Sequence, residues 1–228
     1  SNKMLKQVAI KIMARFTKSR ISRWASNPIE TQKKQLNFLI KNALNTSFGQ
    51  AHSFSKINNY DDFKNHIPVR DYEGLREYFE QIKEGKKNVM WPGKPLYLAV
   101  TSGTTSGSKY IPITKQSLPN HLNGAKNALL MYVADTGKVD FVNGKFIFIQ
   151  GSPVLSKISG ILTGRLSGIS AHHIPFYMKK NMLPSWSTNI IEEWENKIES
   201  IVKETMEANM TIISGIPSWL QMYFEKIV

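Results

Sequence analysis

The chain has 228 residues, 41% of them apolar, with a formal charge of +13 and no cysteine. That length supports one large or two small domains with real cores. The missing cysteines exclude disulfides, thiol nucleophiles and Cys-ligated zinc, and fit a reducing, cytoplasmic compartment. The positive charge suits an anionic partner such as a nucleotide, a nucleic acid or an acidic membrane face, and no apolar run approaches the roughly 20 residues that a spanning helix needs.

The first predicted element is a helix over Met4 to Trp24, where Leu5, Val8, Ala9, Ile12, Met13 and Phe16 recur at helical spacing. Its other face carries Lys3, Lys6, Lys11, Arg15, Lys18, Arg20 and Arg23, with no acid before Glu30. Such a helix either docks its apolar stripe on its own domain or lies on an anionic membrane, and ordinary surface helices favour docking. Asn27-Pro28 starts a second helix through Leu36, Leu39, Ile40, Ala43 and Leu44. A short helix is expected near Tyr60 to Asn65. His66-Ile67-Pro68 begins an extended piece, and Asp71 caps a further helix that ends at Gly85.

Trp91-Pro92-Gly93 then turns the chain into a strand at Leu96 to Val100. This strand feeds a hydroxyl- and glycine-rich loop, Thr101 to Ser108, closed by Lys109. Gly103 and Gly107 permit positive φ and close approach of a ligand. Thr101, Ser102, Thr104, Thr105, Ser106 and Ser108, with the intervening backbone N–H groups, can donate to phosphate oxygens, each bond contributing about 1.5–3 kcal/mol. The loop is neither a Walker A pattern nor a dinucleotide fingerprint, and the same composition also describes an ordinary surface loop.

Beyond it, Ile111 to Thr114 extends, a helix runs from about Lys115 or Pro119 to Val133, and Phe146 to Gln150 reads as a buried strand stopped by Gly151-Ser152-Pro153. Val154 to Ser185 has no clear period. A helix over Asn189 to Ala208 is expected to bury Ile190, Ile191, Trp194, Ile198, Ile201, Val202 and Met206. Met210 to Ile213 is a third buried strand before a last helix over Ser218 to Ile227. Strands separated by helices imply an α/β fold with a largely parallel sheet and flanking helices. Ligands in such sheets sit at the carboxyl ends of strands, where the loops 101–109, 151–153 and 214–217 fall. His172-His173 does not chelate one metal from an extended segment, and Glu192-Glu193 suits a helix start.

The segment Thr-Ser-Gly-Thr-Thr-Ser-Gly-Ser-Lys at 101–109 resembles the phosphate loop of adenylate-forming enzymes. Serine at 106, glycine at 107 and the following Ile111-Pro112-Ile113-Thr114 are closer to one branch, the Gretchen Hagen (auxin-responsive promoter) family of acyl-acid amido synthetases and its bacterial relatives. Thr46-Ser-Phe-Gly49, Ile67-Pro-Val-Arg-Asp-Tyr-Glu73 and Gly85 through Trp91-Pro92 resemble that family too, so the likeness covers about 28 to 228.

The resemblance implies part of the large domain of an adenylate-forming enzyme that joins a carboxylic acid to an amine, usually of an amino acid, through an acyl-adenylate. Ser102, Thr104 and Thr105 would contact the phosphates of ATP, with Thr101, Gly103, Ser106, Gly107 and Lys109 shaping or charging the loop and Mg²⁺ bridging the phosphates. Family enzymes carry a second motif and a later aspartate that this chain lacks, since no aspartate follows Asp140. The expectation is therefore an amino-terminal portion, inactive alone, with residues 3–90 a helical region and 91–228 the α/β part that carries the phosphate loop. No nucleic-acid motif or spanning segment is expected. A non-catalytic basic protein that holds an anionic partner is the alternative.

Overall fold

A computed structural model describes residues 2–101 and 107–228. The described chain forms two compact units, one of residues 19–120 and 156–164, the other of residues 1–18, 121–155 and 165–228. Helix α1 (Asn2–Ala25) contributes to both.

In the first unit, Pro28 opens α2 (Pro28–Ala43) as its first helical residue, where its missing N–H costs nothing. Thr46 then caps α3 (Ser47–Ala51), its hydroxyl oxygen accepting from the Gly49 N–H at 3.0 Å. Gly49 lies so close to α2 that a Cβ there would stand 2.1 Å from the Ala43 carbonyl oxygen. The Thr-Ser-Phe-Gly block is thus a cap and a close approach. Asn59 caps α4 (Tyr60–His66) by accepting from the Asp62 N–H. Asp71 caps no long helix: it accepts from the Gly74 N–H at 2.9 Å, two residues ahead of a single 3-10 turn (Glu73–Leu75). Helix α5 (Arg76–Lys83) follows and ends where Gly85 takes a φ of 89°.

Strands β1 (Tyr97–Thr101) and β2 (Lys109–Ile113) pair antiparallel. After the excursion of α6 (Leu118–Thr136) and β3 (Lys145–Ile149), the chain returns as β4 (Ser156–Ile158) and β5 (Ile161–Gly164) to complete a sheet of order β2-β1-β5-β4. Leu98 and Ile161 from this sheet bury against Ile82 and Val89. Full burial of such side chains contributes about 1.5–3 kcal/mol each.

The second unit holds α7 (Leu166–Ala171), α8 (Phe176–Lys179), β6 (Met182–Leu183), α9 (Trp186–Asn189), α10 (Trp194–Thr205), β7 (Met210–Gly215) and α11 (Pro217–Ile227). Its sheet has the order β6-β3-β7 and is parallel throughout. Ile147 and Ile149 of β3 pack on Ile198, Ile201 and Val202 of α10 and on Tyr223 of α11. The Tyr223 hydroxyl shares a 2.7 Å bond with Thr205, so burying the ring strands no polar atom. Across the described residues three of the five strand pairings are parallel, in an α/β fold with flanking helices as the sequence implies. The strands form two sheets rather than one.

Two helix readings change. The apolar stripe expected to dock α1 faces away from the unit: Leu5, Val8, Ile12, Met13 and Phe16 are exposed, and the helix docks instead through Ile10, Ala14 and Thr17. Ala14 packs among Leu130, Val133, Val139 and Val142, with the Lys6 ammonium donating to the Val142 carbonyl at 2.7 Å. Helix α1 is apolar on two faces, and spacing alone finds the wider one. The long helix expected over 189–208 is broken. Helix α9 ends at Asn189, and the Glu193 carboxylate restarts the chain by accepting from the N–H groups of Glu195 and Asn196; Ile190 in the break and Met206 just past the end of α10 are exposed.

Candidate functional site

The hydroxyl-rich loop is the connection of the β1-β2 hairpin, with Thr101 and Lys109 facing each other as its closing pair. Ser102, Gly103, Thr104, Thr105 and Ser106 lie outside the described residues. Thr101 is exposed, and Gly107 has a φ of 83° with open space where a Cβ would stand. Both conditions suit backbone that receives a ligand.

Lys109 is placed by an aromatic support. Its ammonium lies 5.4 Å from the centroid of the Tyr72 ring, within cation–π range. Tyr72 is itself fixed by stacking on Phe79 at 4.8 Å and by accepting the Tyr110 N–H at its hydroxyl, 3.1 Å away. No carboxylate among the described residues pairs with Lys109. Tyr72, from the Ile67-to-Glu73 block, is the residue whose ring supports the Lys109 ammonium.

The second unit has its own opening where the parallel-sheet rule places one. A cleft of about 250 Å³ lies at the carboxyl ends of β3 and β7, lined by Phe148, Ile149, Gln150, Gly151, Arg165, Ser167, Ser214, Gly215, Ile216 and Trp219. Gly215 is required here, because a Cβ would stand 2.9 Å from the Ile149 carbonyl oxygen. Arg165 is the charged member of this lining, and its side chain passes close to Gly151, where a Cβ would be 3.0 Å from Cδ. The cleft can hold a mainly apolar molecule with one negative group.

A buried lysine and a half-buried glutamate fix the elements behind this cleft. Lys197 is 2% exposed, and its ammonium donates to the carbonyls of Gln150 at 2.9 Å and Asn189 at 2.8 Å. Burial pulls its pKa down to about 8. Glu204 is pushed up by burial, yet its pKa ends below the usual value because the Ser185 hydroxyl, the Thr188 hydroxyl and the Ser185 N–H all donate to its carboxylate.

The loops after β3 and β7 form one cleft, as their positions after strands imply, and the Thr101-to-Lys109 loop belongs to the other unit. Phe176 and Tyr177 are exposed and outside the cleft lining, whereas Trp219 is part of it. His172 and His173 sit at the end of α7, not on an extended segment, and His172 bonds the Pro153 carbonyl at 2.8 Å. Arg165, Ser167 and Lys197 were not singled out from sequence. The first two come from a stretch without period, and Lys197 sits among apolar residues on a buried helix face, which was its available signal.

Parallel strands flanked by helices in one unit and a mixed, hairpin-bearing sheet in the other define the class, an α/β protein. The chain belongs to the GH3 family, since the family model described as GH3 family N-terminal domain matches residues 17–192. It is 27% identical over 150 residues to the indole-3-acetic acid-amido synthetase GH3.5 of Arabidopsis thaliana, covering 64% of this chain and 24% of that protein. With the indole-3-acetic acid-amido synthetase GH3.15 of the same plant it is 33% identical over 64 residues, covering 27% of this chain and 11% of that one. The fold also matches a solved structure of the AtGH3.15 acyl acid amido synthetase in complex with 2,4-DB, with a TM-score of 0.74 and 15% identity over 93% of this chain and 38% of that one. The chain thus spans about a quarter of the length of the first of these curated relatives.

Proposed function

We propose that this chain is the amino-terminal part of an ATP-dependent acyl-acid amido synthetase, which activates a carboxylic acid as its adenylate and passes the acyl group to an amine, usually of an amino acid. The observation that carries the reading is the match of the GH3 family N-terminal domain to residues 17–192, supported by relatives named as amido synthetases. In the adenylation step a carboxylate oxygen of the acid attacks the α-phosphorus of ATP, and pyrophosphate leaves with the bonding electrons. The amine nitrogen then attacks the acyl carbon, AMP departs, and the amine loses a proton. Neither step needs a nucleophile from the protein, so catalysis rests on positioning and charge neutralisation.

The residues fit those demands. Lys109, held by Tyr72 and without a carboxylate partner, would face a phosphate oxygen, and the hydroxyls and N–H groups from Thr101 to Ser106 would donate to the others. The open space at Gly107 lets the loop backbone approach the ligand. Mg²⁺ would neutralise phosphate charge. Among the described residues no three His, Asp or Glu side chains stand together as its ligands. The cleft of the second unit, apolar apart from Arg165 and a few hydroxyl and amide groups, would take the acid.

The test is exchange of labelled pyrophosphate into ATP, dependent on added acid, in the intact protein. Thr104→Ala combined with Lys109→Ala is expected to lower the exchange rate by at least about a hundredfold, since each lost charge-assisted contact accounts for about 1.5–3 kcal/mol. An unchanged rate in a folded variant overturns the loop assignment. Absence of acid-dependent exchange in the wild type overturns the activity.

A further inference from the structure

Helix α1 presents an apolar stripe that its own unit does not use. Leu5, Val8, Ile12 and Phe16 follow one another at intervals of three and four residues, which sets them on one side of the helix. They are 69%, 50%, 49% and 73% exposed. The docked side carries Ile10, Ala14 and Thr17, and Ala14 is offset from Ile12 by two residues, so the stripe faces away from the unit that the helix packs on.

The charges around the stripe identify what covers it. From Asn2 to Ala25 the helix has seven lysines and arginines and no aspartate or glutamate. Lys11 and Arg15 flank the stripe, are exposed, and have no carboxylate partner among the described residues. A second copy of the chain would bring seven like charges against these seven, and a carboxylate-poor protein surface would leave them uncompensated. An exposed apolar row edged by unpaired cations is the arrangement that sinks into the acyl boundary of a bilayer while its charges meet anionic headgroups.

We propose that the outward face of α1 docks on an anionic lipid surface, with Leu5, Val8, Ile12 and Phe16 inserted and Lys11 and Arg15 on the headgroups. The helix lies in the plane of the interface, and the unit attached through Ala14 stays on the aqueous side. This mode of attachment needs no spanning segment, and no helix among the described residues is long and apolar enough to cross a bilayer.

The chain has no cysteine, so Ile12→Cys is the one thiol within it, and with any cysteine elsewhere in the intact protein replaced by serine it carries a single environment-sensitive fluorophore. In the intact protein the label is expected to shift to the blue with vesicles of equal phosphatidylglycerol and phosphatidylcholine. Partition onto these should exceed that onto pure phosphatidylcholine by about tenfold or more and weaken with salt. Co-sedimentation of the unlabelled protein checks that the label is not the cause. Phe16→Asp, at a position 73% exposed, should cut partition by about tenfold or more with little change in the unfolding midpoint. Three results overturn the proposal: no partition of the unlabelled protein, a label already shielded without vesicles because another part of the protein covers the helix, or a dimer whose dissociation alone exposes the label.

Discussion

At the scale of single residues, the most informative group is Lys197, a buried cation with two carbonyl partners and no carboxylate. Its ammonium is disfavoured in the folded state, with a pKa of about 8 against 10.5 for the ordinary side chain. Between those values the unfolded chain binds more protons, so this residue makes stability rise with pH across that window. Below it the penalty is fully present. A neutral amine keeps two N–H donors, enough for both Gln150 and Asn189, whereas Lys197→Met leaves both carbonyls unpaired at about 1–3 kcal/mol each. The stability gap between wild type and Lys197→Met is therefore expected to widen by up to about 3 kcal/mol from neutral pH to about pH 10. Exposed lysines titrate alike in both proteins and cancel, so paired urea titrations at the two pH values measure the effect. A gap that is constant or narrows would mean that the buried amine is not paying a desolvation penalty.

At the scale of elements, the junction of α2 and α3 converts a short sequence block into a steric requirement. Gly49→Ala would force a methyl group to 2.1 Å from a backbone carbonyl oxygen, and neither helix can yield without losing the Thr46 cap. Destabilisation of about 2–3 kcal/mol is expected from overpacking against backbone, measurable as a lowered urea midpoint, and a midpoint unchanged by the substitution would show that the helices part freely. How much the sequence disclosed follows from similar local physics. The apolar runs that became β1, β3 and β7 were legible because each is a continuous strand-length stretch. Strands β4, β5 and β6, with two to four residues each, were not, because each is too short to show a period: β4 and β5 form a tight hairpin, and β5 and β6 are held by β1 and β3, partners distant in the chain. Helix α1 was legible as a helix but its docked side was not, since Ile10 and Ala14 form a narrower apolar row than the exposed one. The cleft loops after β3 and β7 could be read from strand order, whereas Arg165 comes from a stretch without period, so no local signal placed it in the lining.

At the scale of the whole molecule, the excess of positive charge has to be reconciled with a small-molecule reading. Thirty lysines and arginines against seventeen acids leave +13, far more than one triphosphate neutralises, and the same surplus motivated the alternative of a non-catalytic binder of anionic polymers. The two cases differ in how they answer to salt. A polymer many of whose phosphates are neutralised by the protein's lysines and arginines loses affinity as a steep power of the salt concentration through counterion release. A nucleotide engages a few groups, and the remaining charge acts at long range, raising encounter rates until the Debye length falls to about 8 Å near physiological salt. For the intact protein, the KM for ATP is accordingly expected to rise several-fold between about 20 and 200 mM salt with kcat nearly unchanged, because steering affects capture and not the bound state. Lys109→Ala should raise KM at every salt concentration while keeping most of that salt dependence, since one local contact is lost and the general field remains. A kcat that falls along with the rise in KM would place the salt-sensitive charges in the reacting complex, and tight polymer binding with a steep salt slope beside a salt-indifferent KM would favour the binder over the synthetase.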